Sequence, residues 1–407
     1  MSFTTRWSDV YLAAAARGVS ACGDFLAATA LALALQQAGA GGMAVSGLLL
    51  AASVPLAVLA PVAGRIADRA DSRTVLVVAG FAQAAVCAVL AFTTTPALII
   101  ALVALLACGL AITQPTLAAL LPDMVHRRDL AKASGINQTA GMVGMLAAPA
   151  LAGLLVGHYG VRVPLLLDAA SYLALVAAGL LIRTRRSVRP VPAAERGRWR
   201  LSGDRLVATM VAAVAAVVAG VGAINVIEVF FVRDTLHAST TAFGLVSASW
   251  TAGMILGALL FGRLLRGLQD PGRLVGLSLL LMGLVCALVA AAAGVWTVLL
   301  LVPLWVVAGL GNGGLNVCTN LVIAHRVPAE ARGRAFATMG SAVQGAGMIG
   351  FLVAGPLVDR FEPRALVLAA GLAGLIAVLA CVPPVRRAMR SAPPIDLVPR
   401  EKVYTAR

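Results

Sequence analysis

The chain has 407 residues, of which 60% are hydrophobic and only 12% are charged, with a formal net charge of +15. A soluble globular protein of this length would need a charged surface around its core, so that class is excluded. The basic excess does not point to nucleic acid, because no charged stretch is long enough to fold as a basic domain.

The charges are gathered into short segments. Residues 25–64, 74–122, 133–161, 206–227, 274–325, 335–358 and 365–385 contain no Asp, Glu, Lys or Arg. Each stretch is long enough for one or two membrane spans at roughly 20 residues apiece. Inside a bilayer every backbone polar group must be satisfied within the protein, which leaves helices or a closed barrel. The Ala-, Leu- and Val-rich runs lack the alternation of a barrel strand, so helices are expected. Twelve spans are predicted near 9–36, 43–63, 74–92, 97–120, 134–156, 164–183, 206–231, 241–262, 273–293, 296–320, 335–356 and 365–384. The first contains Arg17 and Asp24, is too long for the core of a signal peptide, and is read as retained. Turn signals punctuate the connections, as at Gly39-Ala40-Gly41-Gly42, Thr93-Thr94-Thr95-Pro96 and Gly157-His158-Tyr159-Gly160.

With the N-terminus placed in the cytoplasm, all basic residues but Arg17, Arg162, Arg233, Arg360 and Arg364 fall on inner segments. That asymmetry is the positive-inside signal and puts both termini in the cytoplasm. Every basic residue except Lys132 and Lys402 is an arginine. This bias suggests a GC-rich bacterial genome, and hence a bacterial plasma membrane.

The domain organisation expected is a six-helix bundle over 1–183, a basic cytoplasmic linker over 184–205, a second six-helix bundle over 206–384 and a cytoplasmic tail over 385–407. The halves echo each other. Gly64–Arg73 after span 2 has a weaker counterpart in Gly262–Arg273 after span 8. Met142-Val143-Gly144 matches Met348-Ile349-Gly350, and Pro149 matches Pro356. An internal repeat of this kind marks a transporter whose two bundles rock about a midplane site.

Two motifs carry the most specific information. The segment Gly64-Arg65-Ile66-Ala67-Asp68-Arg69-Ala70-Asp71-Ser72-Arg73 resembles the loop 2–3 signature of the major facilitator superfamily. There Gly64 permits close helix approach, Asp68 accepts hydrogen bonds at a neighbouring helix N-terminus, and Arg69 and Arg73 anchor at the interface, forming an inner latch. Asp71 and Ser72 depart from that signature. In span 5, Gly135, Gly144, Ala148-Pro149 and Ala152-Gly153 are similar in spacing to the antiporter signature of drug-exporting facilitators, with alanines replacing two glycines. Positions 144, 148 and 152 recur every fourth residue and make a small-residue face for close helix packing. The resemblance to the superfamily covers all twelve spans; resemblance to its macrolide and siderophore exporter branch rests mainly on the first six and on 244–257. It implies an all-α membrane fold of twelve transmembrane helices in two pseudo-symmetric bundles. An arginine common in span 4 of drug–proton antiporters is missing from residues 97–122.

Charges inside spans cost about 2.5–3.5 kcal/mol each on insertion scales and so mark candidate sites. Asp24, near the middle of span 1, is either a proton-binding carboxyl or the ion-pair partner of Arg17, seven residues earlier on the same face. Glu228 in span 7 lies three residues after Asn225, so both can reach one cavity, across a cleft from Asp24. Asp168, at the start of span 6, is expected to cap or anchor that helix. Gln83, Asn137, Gln114, Gln138, Asn316, Asn320 and Gln344 are expected to face protein or cavity, the last five of these being candidate substrate contacts. The six cysteines fall in apolar runs without paired spacing and read as small buried hydrophobes.

No Walker loop, HExxH or nucleophile elbow is present, so enzyme chemistry, a cofactor and a metal site are not expected. The reading is a monomeric multi-pass transporter, working in lipid, that exports an amphipathic drug or metabolite in exchange for protons. The alternatives are a proton-coupled nutrient importer and a membrane receptor or scaffold without flux.

Overall fold

The computed structural model describes residues 5–184, 201–268, 270–328 and 331–391. These are helical almost throughout: α1 (Trp7–Gln37), α2 (Gly41–Arg69), α3 (Ser72–Leu90), α4 (Pro96–Met124), α5 (Leu130–Tyr159), α6 (Arg162–Leu181), α7 (Arg205–Val221), α8 (Ile224–Phe230), α9 (Thr240–Leu264), α10 (Pro271–Ala292), α11 (Val298–Arg326), α12 (Arg332–Val358) and α13 (Pro363–Ser391). Among the described residues twelve helices are long and apolar enough to cross a membrane, with 205–235 counted as one span. The surface agrees with a lipid solvent: Leu280, Leu299 and Leu379 are 72%, 83% and 68% exposed, and a belt of such side chains has no place in water.

The helices sort into two bundles, α1–α6 and α7–α13, with the same internal packing. α1 lies against α5 and α6, and α7 against α12 and α13; α2 packs on α4 as α9 does on α11; α3 packs on α6 and α4 as α10 does on α13 and α11. The match reaches individual glycines. A Cβ on Gly144 would overlap the Gly18 carbonyl of α1, and one on Gly350 would come 2.8 Å from the Ala223 nitrogen beside Gly222. The repeat seen in the sequence is therefore a repeat of helix contacts made by small residues, as expected where lipid removes the hydrophobic drive between helices.

Three boundaries differ from expectation. The helix of span 2 continues through Arg69, so most of the presumed loop 64–73 is helical, and Asp71 then caps α3 by accepting the Thr74 N–H at 3.0 Å and its hydroxyl at 2.9 Å. Charge alone does not end a helix; it only fixes where the helix leaves the lipid. Span 7 is interrupted. α7 stops at Val221, a short turn brings Val226 N–H onto the Ala223 carbonyl at 3.0 Å, and α8 runs into a π turn at Phe231–Thr235. The last helix does not end near residue 384 but carries on through Pro383 and Pro384 to Ser391, taking the first part of the expected tail into helix. Linker residues 185–200 and tail residues 392–407 lie outside the described set.

Candidate functional site

The two bundles enclose a pair of adjoining cavities of about 510 and 220 Å³, with Phe25 and Met145 in the walls of both. The smaller belongs to the first bundle and is lined by Arg17, Asp24, Gln114 and Gln138. Asp24 is held there by Tyr172 of α6, whose hydroxyl donates to Oδ1 at 2.6 Å. Tyr172 itself is only 2% exposed. Arg17 shares the cavity but forms no ion pair with Asp24 among the described residues, and its Nε is buried without a hydrogen-bond partner. The ion-pair alternative for Asp24 is thus not the arrangement seen; the neutral phenol takes the place expected for the guanidinium.

Asp168 is not a helix cap. It sits inside α6, 1% exposed, one turn before Tyr172, where it accepts from the Ser171 hydroxyl at 3.0 Å and the Cys87 thiol at 3.3 Å. Gly23, next to Asp24, makes room for it: a Cβ there would overlap Asp168 and Ser171. Two carboxyl groups from α1 and α6 are therefore packed into one region of the first bundle. Asp168, Ser171 and Tyr172 share a helix face by their spacing, a signal that was available in the sequence and unused.

The larger cavity is built mostly by the second bundle. Glu228 and Asn225 both line it, as their spacing implied. Glu228 Oε1 accepts from the Trp305 indole N–H at 3.1 Å and from Ser247 Oγ at 3.5 Å. Trp305, 3% exposed, stands edge-on to Trp250 with ring centroids 6.2 Å apart. Asn225 turns its amide back to the Gly222 carbonyl at 3.1 Å, satisfying the backbone where α7 gives way to α8. The broken helix and the following π turn place Glu228 in an irregular segment, the kind of departure from α geometry that recurs at functional sites. Sequence reasoning missed both tryptophans and Ser247, since nothing local marks a residue on α9 or α11 as facing α8.

On the face away from the termini the bundles are in contact. Small residues of α5 meet α9: a Cβ on Gly153 would overlap the Thr240 carbonyl, and one on Gly244 would overlap that of Pro149. α2 meets α12, where a Cβ on Gly355 would lie 2.8 Å from Ser46 Oγ. Gln36 of α1 bridges to the π turn, donating to Asp234 at 2.6 Å and accepting from Arg233 at 3.3 Å. The span 5 motif thus divides in two. Gly144, Ala148 and Ala152 pack on α1 within the bundle, while Pro149 and Gly153 form the contact between bundles. Gly135 belongs to neither, having nothing within 4 Å of a Cβ.

Other expected site residues are placed elsewhere. Asn316 hydrogen-bonds Asn312 one turn back, at 3.0 Å, and Asn316, Asn320 and Gln344 are exposed and line neither of these cavities. Gln83 is buried and donates to the Leu106 carbonyl at 3.4 Å. Of the inner latch residues, Gly64 lies within α2 and Arg73 is exposed at the start of α3, while the side chains of Asp68 and Arg69 lie outside the described set. Among the described residues no cluster of three or more His, Cys, Asp or Glu is arranged to hold a metal.

Known proteins agree with this architecture. Residues 9–405 match the family MFS_3, described as transmembrane secretion effectors. No curated protein matches the chain. Among solved structures, a bacterial homolog of the human lysosomal transporter Spinster, inward-facing and unoccupied, superposes with a TM-score of 0.71 at 14% identity, over 94% of this chain and 95% of that one. The nucleoside transporter NupG gives 0.71 at 16%, over 95% and 100%. The peptide transporter POT in complex with sulfate gives 0.73 at 14%, over 94% and 95%. At such identities these likenesses speak for the fold alone. With the family match spanning nearly the whole length, the chain belongs to the transmembrane secretion effectors, multi-pass transporters of the major facilitator superfamily.

Proposed function

We propose that this transporter exports amphipathic small molecules in exchange for protons, with Asp24, in company with Glu228, carrying the proton. The observation that carries this reading is the seating of Asp24: an intramembrane carboxyl on a cavity wall, held by one phenol and unpaired with Arg17. A carboxyl kept in a span at such cost is a functional group by default, and here it is positioned to exchange a proton with the cavity. The larger cavity falls within the range of about 300–1,000 Å³ typical of sites for drug-sized ligands and the smaller just below it, and their walls are largely apolar, which suits an amphipathic cargo. The bundles touch on the face away from the termini. If the basic loops lie in the cytoplasm, that contact closes the outer side, and the cleft loads from the inner one. The same reading puts the protein in a bacterial plasma membrane as a monomer with both termini inside.

Everted membrane vesicles energised to an acid interior test the proposal. They should take up a fluorescent amphipathic dye, lose it on addition of a protonophore, and show no gradient-driven flux with Asp24→Asn at equal protein level. Wild-type flux in Asp24→Asn, or net uptake of the dye by intact expressing cells, would overturn it.

A further inference from the structure

We propose that the larger cavity is the binding site of a monovalent amphipathic organic cation, its charge neutralised by Glu228 and its apolar body resting on Trp250 and Trp305. The direction of transport rests on the export reading above; the chemistry of the site does not.

Among the described residues lining this cavity, Glu228 is the one that carries a charge. The two donors that reach it, Trp305 Nε1 and Ser247 Oγ, converge on Oε1, and Oε2 has no protein partner among the described residues. The remaining wall is mostly aliphatic, with Val217, Val289 and Met282 among its members. While Glu228 is ionised, a ligand that fills this space without a positive charge leaves a carboxylate poorly compensated in a low-dielectric site, and an anion adds like-charge repulsion. A cation gains the free carboxylate oxygen and the neighbourhood of the indole rings that line the cavity, whose quadrupoles attract positive charge. One carboxylate calls for one charge, so a dication would bring a second charge with no partner.

The smaller cavity differs. It holds Arg17 together with Asp24, and two amides, Gln114 and Gln138. A cation entering it meets a like charge on its wall. The division assigns substrate recognition to the second bundle and leaves Asp24 to the first. It also bears on exchange. A single carboxylate is neutralised by a proton or by an organic cation, and not by both at once. The other titratable or charged groups near Glu228 are Cys286 of α10 on the same wall, Arg233 and Asp234 at the end of the same span, and Arg17 and Asp24 across the adjoining cavity.

The probe is radiolabelled tetraphenylphosphonium, bound to the purified full-length protein in nanodiscs. Competitors are the unlabelled cation, neutral triphenylphosphine oxide and anionic tetraphenylborate. The cation should displace the label at least about tenfold more effectively than either of the others. Glu228→Gln should weaken binding at least about tenfold, and Glu228→Asp, which keeps the charge, should weaken it less. Equal competition by the neutral or anionic compound, a measurement on the wild-type protein alone, would overturn the proposal. So would unchanged affinity in Glu228→Gln. If the cation binds in a Glu228-dependent way but a pH gradient does not drive it across vesicle membranes, the site stands and the export reading falls. Gradient-driven flux of neutral or anionic compounds that is indifferent to Glu228→Gln would sink the site and leave export standing.

Discussion

The carboxylate of Asp359, at the end of α12, caps the first turn of α2. Its Oδ1 accepts the Gly42 N–H at 2.5 Å and its Oδ2 the Met43 N–H at 3.3 Å. The two helices belong to different bundles, so parting the bundles on this face breaks the cap and leaves those N–H groups and the positive end of the helix dipole unmatched. Such contacts are worth about 0.5–2 kcal/mol. Asp359→Ala should therefore shift the equilibrium toward the state open on this face by about two- to thirtyfold. Spin labels at the facing ends of α2 and α12 should show a larger long-distance population. An unchanged distance distribution would mean that the cap does not help hold the bundles together.

The glycines between α5 and α9 make a sharper prediction. Neither Gly153 nor Gly244 has space for a methyl group, because each would drive into the partner's backbone rather than into a movable side chain. Overpacking of this kind costs about 1–3 kcal/mol, and here the relief available is separation of the bundles. Gly244→Leu and Gly153→Leu should slow transport at least about tenfold and raise passive leak, whereas Gly135→Ala, in open space, should do neither. Counterflow and leak assays in proteoliposomes provide the comparison.

Much of the fold was legible because lipid imposes one rule, and this chain obeys it in long uncharged stretches such as 74–122 and 274–325. The repeat was legible too, through Gly144 and Gly350. What could not be read were choices settled by contact between distant helices. The break at Gly222 lies where Gly350 packs closely, yet the matching contact of Gly144 on Gly18 leaves α1 unbroken, so the small residues alone did not announce it. Whether Asp24 would meet Arg17 or a residue of another span depended on Gly23 admitting α6, a packing decision rather than a spacing. Asn316 and Asn320 were cavity candidates through polarity and their shared face of one helix, and Gln344 through polarity, and neither property says which face a neighbouring helix will cover. Glu228 and Asn225 line one cavity, and their spacing of three, a local property of the helix, is what made that neighbourhood readable.

Tyr172 separates geometry from charge at Asp24. Removing its hydroxyl leaves the ring in its buried seat, 2% exposed, and deletes the one hydrogen bond the carboxyl accepts among the described residues. Hydrogen bonds to charged groups contribute about 1.5–3 kcal/mol. Tyr172→Phe should thus lower proton-driven flux by about tenfold or more while energy-independent counterflow, which needs no proton movement, is nearly unchanged. Equal losses in both assays would show that the phenol supports the fold of the cavity rather than the carboxyl.

The second bundle contains an ion pair whose role is structural. Asp204 and Arg326 approach to 3.1 Å with side chains only 10% and 12% exposed, tying the start of α7 to the end of α11. Asp204 also accepts the N–H groups of Leu206 and Val207, at 3.1 and 3.2 Å, capping α7. Removing Arg326 leaves the buried Asp204 carboxylate without its guanidinium, at about 3–5 kcal/mol. Asp204→Ala loses the helix cap as well as the pair, so it should lower the thermal midpoint more than Arg326→Gln does, and the double variant should be less damaging than the sum of the two. Fluorescence-detected thermal unfolding of the purified protein measures all three. Strict additivity would show that the two side chains do not depend on each other.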